Sequence, residues 1–226
     1  GDDWVRIRQE YLLGVGGVRL LEQMGYDVDG LHLNEGHCTF ALLEMLGKGW
    51  SREELAKRVL FTTHTPVPAG HDRFQWGDVE EVLGELMPKD AKQLVIDAGD
   101  PENGERISMS HLAVALSGPV NAVSNLNAWV ASSMFADHHI APITNGVHHI
   151  TWTSPAMSEL FDTHLEGWKE DPTKLAHAGR IPTEDLAQSR DKARKVLRDL
   201  VKVGTGVDLE SDRLTIGFAR RFATYK

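Results

Sequence analysis

The sequence predicts an α/β protein built on a parallel sheet, and three observations carry that expectation. Val59 to Thr63 is rich in β-branched and aromatic residues, as strands are, while Pro66, Pro68 and Gly70 just beyond it forbid both strand and helix. Asp29 to Leu33 reads as another short strand, followed by the polar turn Asn34-Glu35-Gly36-His37 and an apolar helix from Cys38 to Leu46. The order strand, helix, helix, strand then implies parallel pairing through right-handed crossovers. In open α/β sheets ligands bind beyond the carboxyl ends of the strands, so His64 and the residues after it share an edge with Asn34, Glu35 and His37. A plainer reading also stands, in which the prolines stiffen a turn and His64 is a hydrogen-bonded loop histidine.

Taken in order, Trp4 to Met24 carries Val5, Leu12, Val15, Leu20 and Leu21 at roughly helical spacing, and Gly25 closes the run as a C-cap. Gly14, Gly16 and Gly17 lack the G-x-G-x-x-G spacing and no strand precedes them, so close helix packing explains them better than a phosphate cradle. Ser51 with Glu54 forms a capping box that opens the helix Arg52 to Arg58. Asp72 to Pro101 is acidic and reads as a surface excursion with helical stretches at Val79 to Leu86 and Ala91 to Ile96. A helix over Ser108 to Leu116 stops at Gly118-Pro119, a short strand follows at Val120 to Ser124, and Leu126 to Phe135 is helical again. Asn145-Gly146 follows Pro142 rather than an alternating strand, so a loop at the sheet edge fits better than a hairpin. Ser154 to Val203 is helical with breaks at Pro172 and Pro182, its last helix is Thr183 to Leu200, and a domain junction is expected between about Gly204 and Arg213. Leu214 to Ala219 reads as a buried strand.

The 226 residues carry 24 Lys plus Arg and 33 Asp plus Glu, a formal charge of −9. That excess argues against a general binder of nucleic acid or of anionic membranes, because phosphate backbones reward basic stripes. A single cysteine, Cys38, cannot form an internal disulfide; with neither a signal-peptide pattern nor a membrane-spanning apolar run, a cytoplasmic protein is the expectation. Both ends read as cut, since Gly1 stands where a methionine would and the chain stops just after an apparent strand.

Against this acidic background, Arg220, Arg221, Tyr225 and Lys226 crowd the seven residues after that strand. Guanidinium forks and a lysine at a strand end suit an oxyanion, most simply phosphate, although surface cations paired with acids would give the same spacing. No catalytic metal is expected. The eleven histidines form no H-E-x-x-H motif, and the doublets His138-His139 and His148-His149 would point to opposite faces of a strand.

Four motifs occur in order: Leu31-His32-Leu33-Asn34-Glu35-Gly36-His37, then Phe61 to Asp72 reading FTTHTPVPAGHD, then Ile143-Thr144-Asn145-Gly146-Val147-His148, then Gly217 to Lys226 reading GFARRFATYK. Together they resemble the α-glucan (glycogen and maltodextrin) phosphorylases, especially the shorter bacterial and archaeal type. The resemblance implies a GT-B fold with its active site between two Rossmann-like domains. Residues 1–153 would then be the later half of the N-terminal domain, 154–212 a connecting helical segment, and 213–226 the start of the C-terminal domain.

It also implies phosphorolysis of a terminal α-1,4-linked glucose to glucose 1-phosphate with retained configuration, with α-glucan and orthophosphate as partners and pyridoxal 5′-phosphate as cofactor. The cofactor's Schiff-base lysine would lie downstream of Lys226, so this chain would not hold it covalently. By resemblance His64 takes the place of the glucose-binding histidine, whose carbonyl faces the developing oxocarbenium. Arg221 and Lys226 match the phosphate-binding pair, Tyr225 a sugar contact, and Arg220 a position that also accepts lysine. Glu35 and His37 match an acid and a histidine near the cleft, Thr65 comes directly after the histidine, and Asn145 belongs to a pocket-supporting loop. Ser124-Asn125-Leu126-Asn127 departs from the basic residue and histidine usual in relatives. Two other readings stay open: a nucleotide-sugar glycosyltransferase of the same fold, and a non-catalytic glucan-binding relative. The resemblance is also compatible with a homo-oligomeric parent protein.

Overall fold

The computed structural model describes residues 2–135 and 138–219, and the chain divides into two compact units, residues 1–145 and 146–226. The first unit opens with α1 (Asp3–Tyr11) and α2 (Gly17–Gln23), joined by a π-helical turn at Leu12–Gly16. Then come β1 (Leu31–Asn34), α3 (Phe40–Gly47), α4 (Arg52–Arg58) and β2 (Val59–Thr63). A short ribbon strand β3 (Arg73–Phe74) precedes α5 (Trp76–Leu83), α6 (Ala91–Asp97), β4 (Ile107–Ser108) and α7 (Met109–Leu116). The unit ends with β5 (Val120–Ala122), α8 (Asn125–Met134) and β6 (Ile140–Pro142).

Four of these strands form one sheet in the order β1-β2-β5-β6, all parallel. Its register aligns Leu33 with Phe61, Phe61 with Val120, and Val120 with Ile140, so one buried apolar side chain per strand forms a continuous row. The next row, Asn34, Thr62 and Asn121, is polar, and Thr62 Oγ1 bridges to His32 Nε2 at 2.7 Å and to Asn121 Oδ1 at 2.6 Å. Parallel pairing puts the carboxyl ends at Asn34, Thr63, Ala122 and Pro142 on one edge, as the sequence predicts. The predicted strands at 59–63 and 120–124 are present, the latter shortened to Val120–Ala122. The strand β6 was not expected. Its proline has no N–H to give to a ladder, and is tolerated because β6 lies at the edge of the sheet.

Three further expectations need correction. The first helix buries Ile7, Glu10, Gly14, Val15 and Val18, not the predicted face: of the five apolar residues singled out only Val15 is buried, and Leu12 (73%) and Leu20 (60%) are open to solvent. Gly14 explains the choice of face, since a Cβ there would lie 2.7 Å from the backbone nitrogen of Ala41 at the start of α3. Asp72 to Pro101 is no surface excursion either, because Phe74, Val79, Leu83 and Val95 enter the main core and β3 pairs antiparallel with β4. Finally, Leu214 to Ala219 forms no ladder with any described residue, and Leu214, Ile216 and Phe218 are exposed. A strand needs a neighbour's N–H and C=O groups, and none among the described residues supplies them.

In the second unit, α9 (His149–Trp152) and α10 (Pro155–His164) precede a 3-10 segment at Pro172–Arg180 and the long α11 (Thr183–Thr205). Leu160, Leu165, Trp168 and Ile181 form its small core. Ser189 Oγ ties α11 to α10 through the Ala156 carbonyl at 2.8 Å, and Gly206, left-handed at φ 76°, ends α11.

Candidate active site

The site is built where β1 and β2 end side by side. Glu35 follows β1 directly, with its N–H donating to the Thr62 carbonyl at 2.9 Å, and its side chain is 8% exposed. Its backbone has φ 65° and ψ −179°, a region normally open only to glycine. That conformation turns the side chain towards the end of β2, where Glu35 Oε1 accepts the His64 N–H and, at 2.9 Å, the Thr65 hydroxyl. Three of the predicted residues, Glu35, His64 and Thr65, are thus joined directly.

The rest of the turn is held by residues that sequence reasoning did not assign. Asn127, at the first turn of α8, donates from Nδ2 to the His64 carbonyl at 3.3 Å. His71 lies opposite the Thr65 carbonyl, with Nε2 at 3.1 Å, and its Nδ1 meets Ser110 Oγ at 2.7 Å. A carbonyl can only accept, so Nε2 carries the proton and Nδ1 accepts from the serine hydroxyl. Burial lowers the His71 pKa and keeps the ring neutral. Gly36 lets this layer close up, because a Cβ there would sit 2.9 Å from Ser110 Oγ. The composition around 124–127 gave no hint of Asn127's partner, which is 63 residues away in the chain.

His37 is placed differently. It is exposed and belongs to a second cluster with Arg6, Glu10 and Asp72. Ligand-type atoms of Glu10, His37 and Asp72 lie within 4.8 Å of one another, an arrangement that could suit a metal ion. Arg6 occupies that position: its Nη2 is 2.9 Å from Asp72 Oδ2 and 2.8 Å from His37 Nδ1, and its Nε is 3.1 Å from Glu10 Oε1. A guanidinium therefore supplies the positive charge a metal would bring. Glu10 is only 1% exposed, and burial, then the adjacent Asp72, push its carboxyl up to about 9. Burial also works to raise Asp72, but contacts with His37, Glu10 and Arg6 outweigh it and hold Asp72 well below the usual carboxylate range.

Asn145 lies at the same sheet edge, its N–H donating to the Val123 carbonyl at 3.2 Å, with an exposed side chain. Arg220, Arg221, Tyr225 and Lys226 lie outside the described residues. Among the described residues no helix is long and apolar enough to cross a membrane.

No family model matches the chain. Individual proteins do. The maltodextrin phosphorylase of Thermococcus litoralis is 35% identical over 256 residues, covering 98% of this chain and 30% of that protein. The glycogen phosphorylases of Aquifex aeolicus and Mycobacterium tuberculosis are 31% and 28% identical, each over 100% of this chain and over 38% and 32% of their own lengths. The chain thus spans about a third of the length of these curated relatives. Along its whole length it is a homologue of the glycogen and maltodextrin phosphorylases.

Proposed function

We propose that this chain forms part of a retaining α-glucan phosphorylase of GT-B fold, which transfers a terminal α-1,4-linked glucose from glucan to orthophosphate. On this reading residues 1–153 contribute one wall of the cleft, 154–212 connect, and 213–226 begin the opposite domain. The observation that supports it most is the hydrogen-bonded assembly of Glu35, His64 and Thr65 at the carboxyl edge of a parallel sheet, in a chain homologous to these enzymes throughout. His64 and Thr65 would face the sugar, with the His64 carbonyl dipole directed at the positive charge that grows on the anomeric carbon. Arg221 and Lys226 would hold the phosphate, with Arg220 and Tyr225 beside them, and Asn145 would support the pocket.

The cofactor expected of the family is pyridoxal 5′-phosphate, whose phosphate would exchange a proton with the substrate. Among the described residues no lysine is buried, so none offers the desolvated amine that a pyridoxal aldehyde requires. Its Schiff-base lysine is expected downstream of Lys226, and the chemistry assigned to the residues of this chain does not run through the cofactor.

The direct test is a coupled assay for glucose 1-phosphate on the protein that carries this chain, supplied with maltodextrin and phosphate. Phosphate-dependent product is expected; turnover of ADP-glucose or UDP-glucose in its place would move the assignment to a nucleotide-sugar transferase. Arg221→Ala and Lys226→Ala are each expected to raise the phosphate KM by about tenfold or more, as loss of a charge-assisted hydrogen bond does, with the glucan KM little changed.

A further inference from the structure

The backbone around His64 and Thr65 is held at three successive peptide units. Three of their polar groups are taken by side chains from three separate elements: His64 N–H by Glu35 after β1, His64 C=O by Asn127 of α8, and Thr65 C=O by His71. Of these, Asn127 has the most demanding geometry. It is 8% exposed and uses both ends of its amide: Oδ1 accepts the Val123 N–H at 3.3 Å and Nδ2 donates to the His64 carbonyl at 3.3 Å. Its own N–H is capped by Ser124 Oγ at 3.1 Å, which fixes where the side chain starts. The position therefore demands one acceptor and one donor about two bond lengths apart. Aspartate supplies no donor, leucine supplies neither, and a neutral imidazole supplies one of each.

We propose that Asn127 is a positioning residue for the transfer reaction, its amide fixing the direction in which the His64 carbonyl points at the carboxyl edge of the sheet. The inference rests on the phosphorylase reading above. An adjacent strand end is well placed for this task, because α8 begins just after β5 and β5 is hydrogen-bonded to β2, so the donor is carried on the same rigid sheet as its acceptor. A carbonyl held in this way keeps its second lone pair free for a developing positive charge. Without the donor the peptide plane can rotate, and a misdirected dipole affects the transition state more than the bound ground state.

The test compares Asn127→Asp, Asn127→Leu and Asn127→His in the protein that carries this chain. Asn127→Asp keeps the acceptor for Val123, loses the donor to His64 and adds a buried negative charge, while Asn127→Leu removes the donor without adding a charge. Both Asn127→Asp and Asn127→Leu are expected to lower kcat by about 10²-fold, with the KM for glucan and phosphate within about twofold of the parent. Asn127→His is expected to recover most of that loss. Amide exchange across residues 62–66 is expected to be faster in Asn127→Leu than in the parent. The proposal is overturned if either kcat stays within twofold of the parent, if KM and kcat worsen together with no recovery by histidine, or if exchange across 62–66 is unchanged. An inactive parent enzyme would instead overturn the phosphorylase reading, which keeps the two failures apart.

Discussion

Glu35 stands in a backbone conformation that costs a side-chain-bearing residue on the order of 1–3 kcal/mol, and it is buried as well. Two donors offset that cost, the His64 N–H and the Thr65 hydroxyl, and neither has another hydrogen-bond partner among the described residues. Glycine would relieve the strain and remove the acceptor, so Glu35→Gly separates stability from function. The expected outcome is a melting temperature within a few degrees of the parent, since about 1–3 kcal/mol of relieved strain counters the loss of two hydrogen bonds, together with a fall in kcat of about 10²-fold or more. Parallel thermal melts and glucose 1-phosphate assays check it. A large drop in melting temperature at full specific activity would mean that Glu35 serves the fold alone.

Among the elements, those with strictly local causes were legible in the sequence. The capping box is present as read, with Ser51 Oγ accepting the Glu54 N–H and Glu54 reaching back to the Ser51 N–H, and β2 runs over Val59–Thr63 as its β-branched residues suggest. Features that depend on distant partners were not legible. The buried face of α1 and α2 is chosen by the close approach of Gly14 to α3, and the π-helical turn at Leu12–Gly16 rotates the helix between them, so the strongest apolar spacing ended up in solvent. The partner of Asn127 was not legible for the same reason, since it is a carbonyl brought near by the parallel pairing of β2 and β5. Gly14→Ala tests the first of these. A methyl 2.7 Å from a backbone nitrogen cannot be absorbed by a side-chain rotation, so a loss of about 1–3 kcal/mol in urea denaturation is expected. Gly17→Ala, which meets nothing within 4 Å, is expected to be neutral or slightly stabilising.

For the whole molecule, two buried groups on opposite sides of neutrality shape the dependence of stability on pH. His111 lies between Ser108 Oγ at 2.7 Å and the Met134 carbonyl at 3.1 Å, against the Phe135 ring, and burial lowers its pKa to about 4 from 6.5. The unfolded chain therefore binds a proton that the folded chain refuses, so stability is fully present above about 6.5 and falls as the pH drops towards 4. Glu10 has the opposite sign. Its carboxyl is raised to about 9 from 4.5, so the folded chain retains a proton that the unfolded chain releases, and stability is lost as the pH climbs from 4.5 towards 9. The two slopes cancel between about pH 4.5 and 6.5, so stability is flat there and declines above 6.5 as Glu10 alone titrates. Glu10→Gln keeps the shape of the protonated acid without its ionisation, and so should flatten the alkaline limb and raise the melting temperature at pH 8.5 by several degrees, while changing little at pH 5. His111→Gln should remove the compensating slope, so that stability declines from about pH 4.5 upward instead of from about 6.5. Melting curves of the three proteins across pH 4 to 9 decide it. If Glu10→Gln melts lower than the parent at pH 8.5, the Arg6 cluster depends on an ionised Glu10 and the buried proton is not there.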